Sequence, residues 1–395
     1  MFASLAFVFL LGMLGAAVFE RMHLPRMIGM LLVGILIGPY AFGLLDSSIL
    51  AISGDLRKLA LMLILLRAGL SLDLGDLKKV GRPAILMAFV PATFEVAAFV
   101  LFAPIILGIT HMEAAVMGAV LGAVSPAVVV PRMVRLMEEK RGTAQGVPQM
   151  IMAGASCDDV YVIVLFTTFA RMAQGGEARL ADFAAVPCSI VLGALTGAVC
   201  GWLLSRFFAR CSLNNTMRTV VMLAVSCLLI AVEEWVKGNI AFSGLLAVMS
   251  MAVMIRRESP KSCAAVLTGK VGQLWQAAEI LLFVLVGAAV DIRYTMEAGA
   301  GAVLMILLAL VVRSLGTALC VAGTKLTRQE RLFCVLAYLP KATVQAAIGA
   351  TPLAMGLDCG KIVLSVAVLA ILITAPMGAI AMDATYKRLL CAETE

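Results

Sequence analysis

Ala337-Tyr-Leu-Pro-Lys-Ala-Thr-Val-Gln-Ala-Ala-Ile-Gly349 interrupts an apolar run, and it has a counterpart earlier in the chain, Ala123-Val-Ser-Pro-Ala-Val-Val-Val-Pro131. Aligning Pro126 with Pro340 sets Ala123 on Ala337 and Val130 on Val344. Proline inside a helix removes one hydrogen bond and clashes with the preceding turn. Backbone opened at membrane depth is tolerated only where it lies within protein or lines a polar cavity. Two ordinary kinks would need no such correspondence. Paired breaks at matching places in two halves of a chain point to the binding site of an inverted-repeat membrane transporter.

The composition around these strings agrees with a bilayer setting. Of 395 residues, 62% are hydrophobic and 14% charged, against about 25% charged in a soluble domain. A cytosolic globular enzyme, a disordered chain and a secreted disulfide scaffold are excluded. A transmembrane barrel would alternate apolar and polar residues, whereas these apolar runs are continuous. Thirteen spans are expected, at Phe2–Phe19, Pro25–Phe42, Ser53–Ser71, Pro83–Leu107, Met112–Leu136, Pro148–Met172, Asp182–Arg206, Met217–Val236, Asn239–Ile255, Val271–Asp291, Gly299–Ala322, Arg331–Ala354 and Lys361–Asp383. The fold class is therefore an all-α polytopic membrane protein. Its two broken spans are the fifth and the twelfth.

Lysine and arginine alternate with this threading. Loops on one side carry them in roughly threefold excess, which marks the cytoplasmic side. The C terminus then faces the cytoplasm and the N terminus the outside of a cell membrane, taken as a bacterial inner membrane. The net charge of +7 is loop charge, so nucleic acid is not expected as a partner; membrane lipid is. The ten cysteines form no Cys-x-x-Cys pair and lie mostly in apolar runs, as small fillers. His23 and His111 fall in loops, and no histidine metal site is expected. The first apolar run has no basic segment before it, so no cleavable signal peptide is expected.

Charge within the spans is costly, at several kcal/mol per residue, on the order of 3 to 10. Five such residues stand out: Glu95 in the fourth span, Asp158 and Asp159 in the sixth, Arg313 in the eleventh and Lys341 in the twelfth. Arg67 lies about one turn from the cytoplasmic end of its span, within snorkelling reach. Glu279 sits near the cytoplasmic start of the tenth. The acidic pair is the strongest feature. Consecutive helix residues point about 100° apart, so the two carboxylates can address different partners. One can face a cavity while the other pairs with a cation or caps backbone. Carboxylate oxygen suits hard cations. Lys341 can neutralise the half-helix ends of the second break or pair with Asp158. Ser125 and Thr343 are further candidate oxygen ligands, and Gln345 is another polar candidate. Glu95 and Arg313 are read as neutralising one another.

At these residues the chain resembles the cation/proton antiporter superfamily, in its NHA-type branch of sodium/proton exchangers. The matching strings are Arg67-Ala-Gly-Leu-Ser-Leu-Asp73, Ser125-Pro-Ala-Val-Val-Val-Pro131, Asp158-Asp159-Val160 and Leu339-Pro-Lys-Ala-Thr-Val-Gln-Ala-Ala-Ile-Gly349. The resemblance implies two inverted repeats, crossed broken helices, a homodimer and elevator-type alternating access. It implies an ion-translocating core mainly at 83–172 and 299–383, and a dimerisation scaffold mainly at 1–71 and 182–291. Asp159 matches the aspartate that binds cation and proton, and Asp158 its partner. Arg313 lies where relatives carry a basic residue, and Glu95 would pair with it in this branch. Many relatives have Thr-Asp-Pro at the first break, where this chain has Val124-Ser125-Pro126. One core carboxylate is missing, and the number of protons per cation is left open.

The reading is a sodium (or lithium)/proton antiporter, not an enzyme. It needs no cofactor beyond the transported Na+ or Li+ and H+. A potassium/proton antiporter on the same fold is the nearest alternative, followed by a sodium-coupled organic anion symporter. An intramembrane aspartyl protease needs its acids on different helices, and here they are adjacent. A channel would show no obligatory proton coupling.

Overall fold

The computed structural model describes all residues except 23, 72–80, 175–179, 212, 237–241 and 393–395. Of the residues named above, His23, Leu72, Asp73 and Asn239, the expected start of the ninth span, lie outside the described ones. The helices are α1 (Phe2–Arg21), α2 (Arg26–Ile37), α3 (Ser47–Ala51), α4 (Ser53–Ser71), α5 (Arg82–Leu107), α6 (His111–Leu121), α7 (Pro126–Glu138), α8 (Val147–Ala173), α9 (Leu180–Arg210), α10 (Asn215–Val236), α11 (Gly244–Glu258), α12 (Lys261–Ala288), α13 (Ile292–Cys320), α14 (Arg328–Ala337), α15 (Thr343–Ile348), α16 (Thr351–Ala354) and α17 (Gly360–Leu389). Among the described residues the only β pairing is an isolated antiparallel bridge between Arg141 and Ala392.

Nine helices among the described residues are long and apolar enough to cross a membrane, with α6 and α7 counted as one run. They correspond to nine of the thirteen expected spans. The other four differ for separate reasons. Helix α2 has 12 residues and α11 has 15, or about 18 and 22 Å at 1.5 Å per residue. Helix α4 is long enough but carries Asp55, Arg57, Lys58 and Arg67. The twelfth span is divided among α14, α15 and α16.

The chain separates into two compact units. One comprises Met1–Arg57, Gly75–Gly175 and Ile280–Glu395, and the other Lys58–Leu74 and Gly176–Glu279. In the second unit α9 packs along α11. A Cβ on Gly197 would stand 2.1 Å from the Ala247 carbonyl oxygen, so only glycine permits this approach. Arg67, also in this unit, is exposed, whereas Glu279 is buried.

The first unit holds every residue of the candidate site. Its centre repeats one pattern: a long helix, a broken helix, a long helix. The first set is α5, α6–α7 and α8; the second is α13, α14–α15 and α17. Both pre-break helices start with the same device. Thr110 and Glu113 form a reciprocal capping box at α6, and Thr327 and Glu330 form one at α14. Each satisfies two backbone donors that a helix start leaves open. Helix α5 packs on α13, α6 and α8, while α17 packs on α13 and α14.

Candidate functional site

The two breaks meet. Helix α6 stops at Leu121 and α7 restarts at Pro126; α14 stops at Ala337 and α15 restarts at Thr343. Where they cross, the Ser125 amide donates to the Pro340 carbonyl at 2.8 Å. Buried backbone groups need partners, and the unwound residues find them in a specific set. The Lys341 amide donates to Thr374 Oγ1 of α17 at 2.8 Å. The Val124 amide donates to Asp158 Oδ2 at 2.7 Å. Gln345 Nε2 donates to the carbonyls of Ala123 at 2.9 Å and Leu121 at 3.3 Å, while its Oε1 accepts from the Ala342 amide at 2.9 Å.

Arg313 of α13 lies at the centre. Its Nε donates to the Tyr338 carbonyl at 2.8 Å. Its Nη1 donates to Glu95 Oε2 at 2.7 Å and also to the Gly122 carbonyl. Its Nη2 donates to Asp158 Oδ2 at 3.1 Å. The guanidinium also lies over the Tyr338 ring, 5.7 Å from its centroid. Its planar fork thus addresses α5, α8 and both breaks, which a lysine's point charge does not reproduce.

Glu95, Asp158, Arg313 and Lys341 therefore form one continuous chain of ion pairs, and with Asp159 none is more than 2% exposed. Lys341 departs from expectation. It donates to Glu95 Oε2, not to Asp158. The carbonyls of the two breaks accept hydrogen bonds from Arg313 and Gln345. The reason is the crossing itself: α5 brings Glu95 beside the second break, while Arg313 occupies Asp158.

Asp158 and Asp159 are consecutive but differently held. Asp158 Oδ2 accepts from Arg313 and Val124. Asp159 Oδ1 is buried without a hydrogen-bond partner, as are Asp158 Oδ1, Ser125 Oγ, Thr343 Oγ1 and the Tyr338 hydroxyl. Ser125 is the N-cap residue of α7 and Pro126 its first residue; Thr343 opens α15 and Pro340 lies in the break before it. These unpartnered oxygens are hard donors of the kind a small cation takes. Among the described residues no cluster of three or more His, Cys, Asp or Glu could hold a metal ion.

Residue reading from sequence did not reach Tyr338, Gly154, Thr374 and Gly378. A Cβ on Gly154 would stand 2.0 Å from the Tyr338 hydroxyl, and one on Gly378 2.3 Å from Pro340 Cγ. Thr374 and Gly378 lie one turn apart on α17 and receive the second break. The available signal was small residues at helical spacing opposite a proline.

The transmembrane sodium/hydrogen exchanger family model matches residues 5–384. The chain belongs to the sodium/hydrogen exchanger family. Such exchangers are transporters, not enzymes, and this member is an integral membrane protein. It is 34% identical over 381 residues to sodium/hydrogen exchanger 9B2 of Pongo abelii, covering 93% of this chain and 70% of that one. To sodium/hydrogen exchanger 9B1 of Homo sapiens it is 32% identical over 383 residues, covering 93% and 73%. In fold the exchanger is similar to the sodium proton antiporter MjNhaP1 from Methanocaldococcus jannaschii, with TM-score 0.85 and 19% identity, covering 98% of this chain and 97% of the other.

Proposed function

We propose that the protein exchanges sodium for protons and that Asp159 holds the two in turn. The observation that carries this reading is the contrast within the acidic pair. Asp158 is engaged by Arg313 and the Val124 amide, whereas Asp159 Oδ1 is buried and unpartnered. An empty, ionised Asp159 is costly to carry through an apolar barrier. A proton or a monovalent cation cancels that charge, so only the occupied forms cross, and coupling follows. Ser125 and Thr343, at the two restarts, are the proposed additional ligands, with lithium an expected second substrate. Asp158, Glu95, Arg313 and Lys341 form the electrostatic frame around them. Pro126 and Pro340 keep the two helices open at the site.

The reading extends to the chain as a whole. Residues mainly 83–172 and 299–383 form the moving core of an elevator. Residues mainly 1–71 and 182–291 form the scaffold through which two copies pair. The lysine and arginine asymmetry puts the C terminus on the cytoplasmic side of a cell membrane.

Purified protein in liposomes carrying an internal pH dye tests the site. A sodium gradient should drive proton movement in the wild type, lithium should substitute, and Asp159→Asn should abolish both. Normal rates in Asp159→Asn would overturn the assignment, and potassium alone driving protons would overturn the cation.

A further inference from the structure

We infer that Gln345 is a positioning residue that sets the distance between the two cation-ligand candidates, Ser125 and Thr343, and through it the choice of cation. The inference rests on the antiport reading and names what tunes the same site. Gln345 is fully buried, and its amide bridges the two breaks. Both Nε2 hydrogens are used on the first break, toward Leu121 and Ala123, and Oε1 is used on the second, toward the Ala342 amide. Ala123 lies two residues before Ser125, and Ala342 immediately precedes Thr343. The bridge therefore fixes the segments that carry the two hydroxyls. Neither hydroxyl oxygen has a hydrogen-bond partner of its own, so neither is placed by its own contacts.

The chemistry needed here is narrow. An amide donates twice and accepts at one end. A carboxylate cannot donate to the two carbonyls, and an aliphatic side chain leaves three buried backbone groups unsatisfied. The direct Ser125 amide to Pro340 bond holds the crossing point but reaches neither Ala123 nor Ala342. Arg313 also joins the two breaks, at Gly122 and Tyr338, and Gln345 adds the tie at Ala123 and Ala342, beside the residues that carry the two hydroxyls.

The full-length protein in liposomes, assayed for sodium and lithium dependence of proton movement, decides the matter. Gln345→Leu removes the bridge. Gln345→Asn keeps the amide but is one methylene too short to reach both segments. Each should raise the apparent KM for sodium, roughly tenfold for Leu if one unsatisfied contact is transmitted to binding. The ratio of lithium to sodium KM should shift as well, with maximal rate at saturating sodium kept within about twofold. A merely structural residue would lower maximal rate alike for both ions and leave the KM ratio unchanged, and that result overturns the inference. Failure of both variants to yield monodisperse protein also overturns it, because the role is then in folding. A wild type that moves protons with sodium, beside variants of unchanged KM, sinks this inference alone. A wild type without sodium-driven proton movement sinks the antiport reading and this inference with it.

Discussion

Asp158 and Asp159 are neighbours in sequence, and their difference comes from what reaches each of them. Helical geometry turns them about 100° apart; α13 and the first break then supply cationic and amide donors to Asp158 Oδ2. The sequence made the pair conspicuous but could not show which acid is engaged, because that depends on which helix faces it. The same holds for Lys341. Its place beside Pro340 was legible, whereas its partner Glu95 is set by the packing of α5. Tyr338 and Gly154 were silent for a related reason, since a glycine and a tyrosine in an apolar run read as filler. Their contact gives a sharp residue-scale expectation. The Cβ of Gly154→Ala would overlap the Tyr338 hydroxyl at 2.0 Å and meet Met87 Cβ at 2.9 Å. Overpacking of this kind costs about 1–3 kcal/mol, so Gly154→Ala should lower the unfolding temperature in detergent and slow transport. Because the Tyr338 hydroxyl has no partner, Tyr338→Phe alone should be close to neutral. In the Gly154→Ala background it should recover part of the loss, with Met87 accounting for the remainder. No recovery in the double variant would refute the account.

At the scale of elements, the apolar runs and the two proline breaks were legible because both are continuous local signals. The charged span Ser53–Ser71 was read at the bounds of α4, but the two short spans and the divided one were not, since apolar character alone reports neither helix length nor where backbone unwinds. The helix starts before the breaks could have been read more closely. Thr110-His-Met-Glu113 and Thr327-Arg-Gln-Glu330 carry the capping pattern, yet apolar character alone starts the runs at Met112, within the first box, and at Arg331, just past the second. The boxes anchor the half-helices whose far ends form the crossing. Losing the hydroxyl should cost about 1 kcal/mol at each. The two are not equivalent, because Glu330 is buried and Glu113 only half-buried. Glu330 Oε2 accepts from the Thr327 amide at 2.8 Å and the Thr327 hydroxyl at 3.0 Å. Thr327→Ala should therefore lower the unfolding temperature more than Thr110→Ala. An equal or reversed order in a side-by-side thermal scan would show that burial of the box glutamate does not matter.

Across the whole molecule, the five charges buried around the crossing decide whether transport moves net charge. Glu95 and Asp158 face Arg313 and Lys341, with which they form the chain of pairs, two acids against two bases. Of these five, Asp159 is the one left without an opposite charge. One proton cancels it, and so does one sodium ion. On the proposed assignment of Asp159 the loaded core is neutral in both directions, and the expected exchange is one for one. A net charge carried across would couple to the membrane at about 2.3 kcal/mol per 100 mV, which is close to a fiftyfold bias. Sodium-driven proton movement should therefore run at the same rate in liposomes clamped at zero or at 100 mV of either sign, without steady current on a supported membrane. The first break offers the converse test. Ser125→Asp adds a second carboxylate with no cation to offset it, so a variant that still transports should become sensitive to the clamp. A wild-type rate that changes severalfold with potential would mean that one of the four framing charges changes its protonation during the cycle, and the one-for-one count would fail.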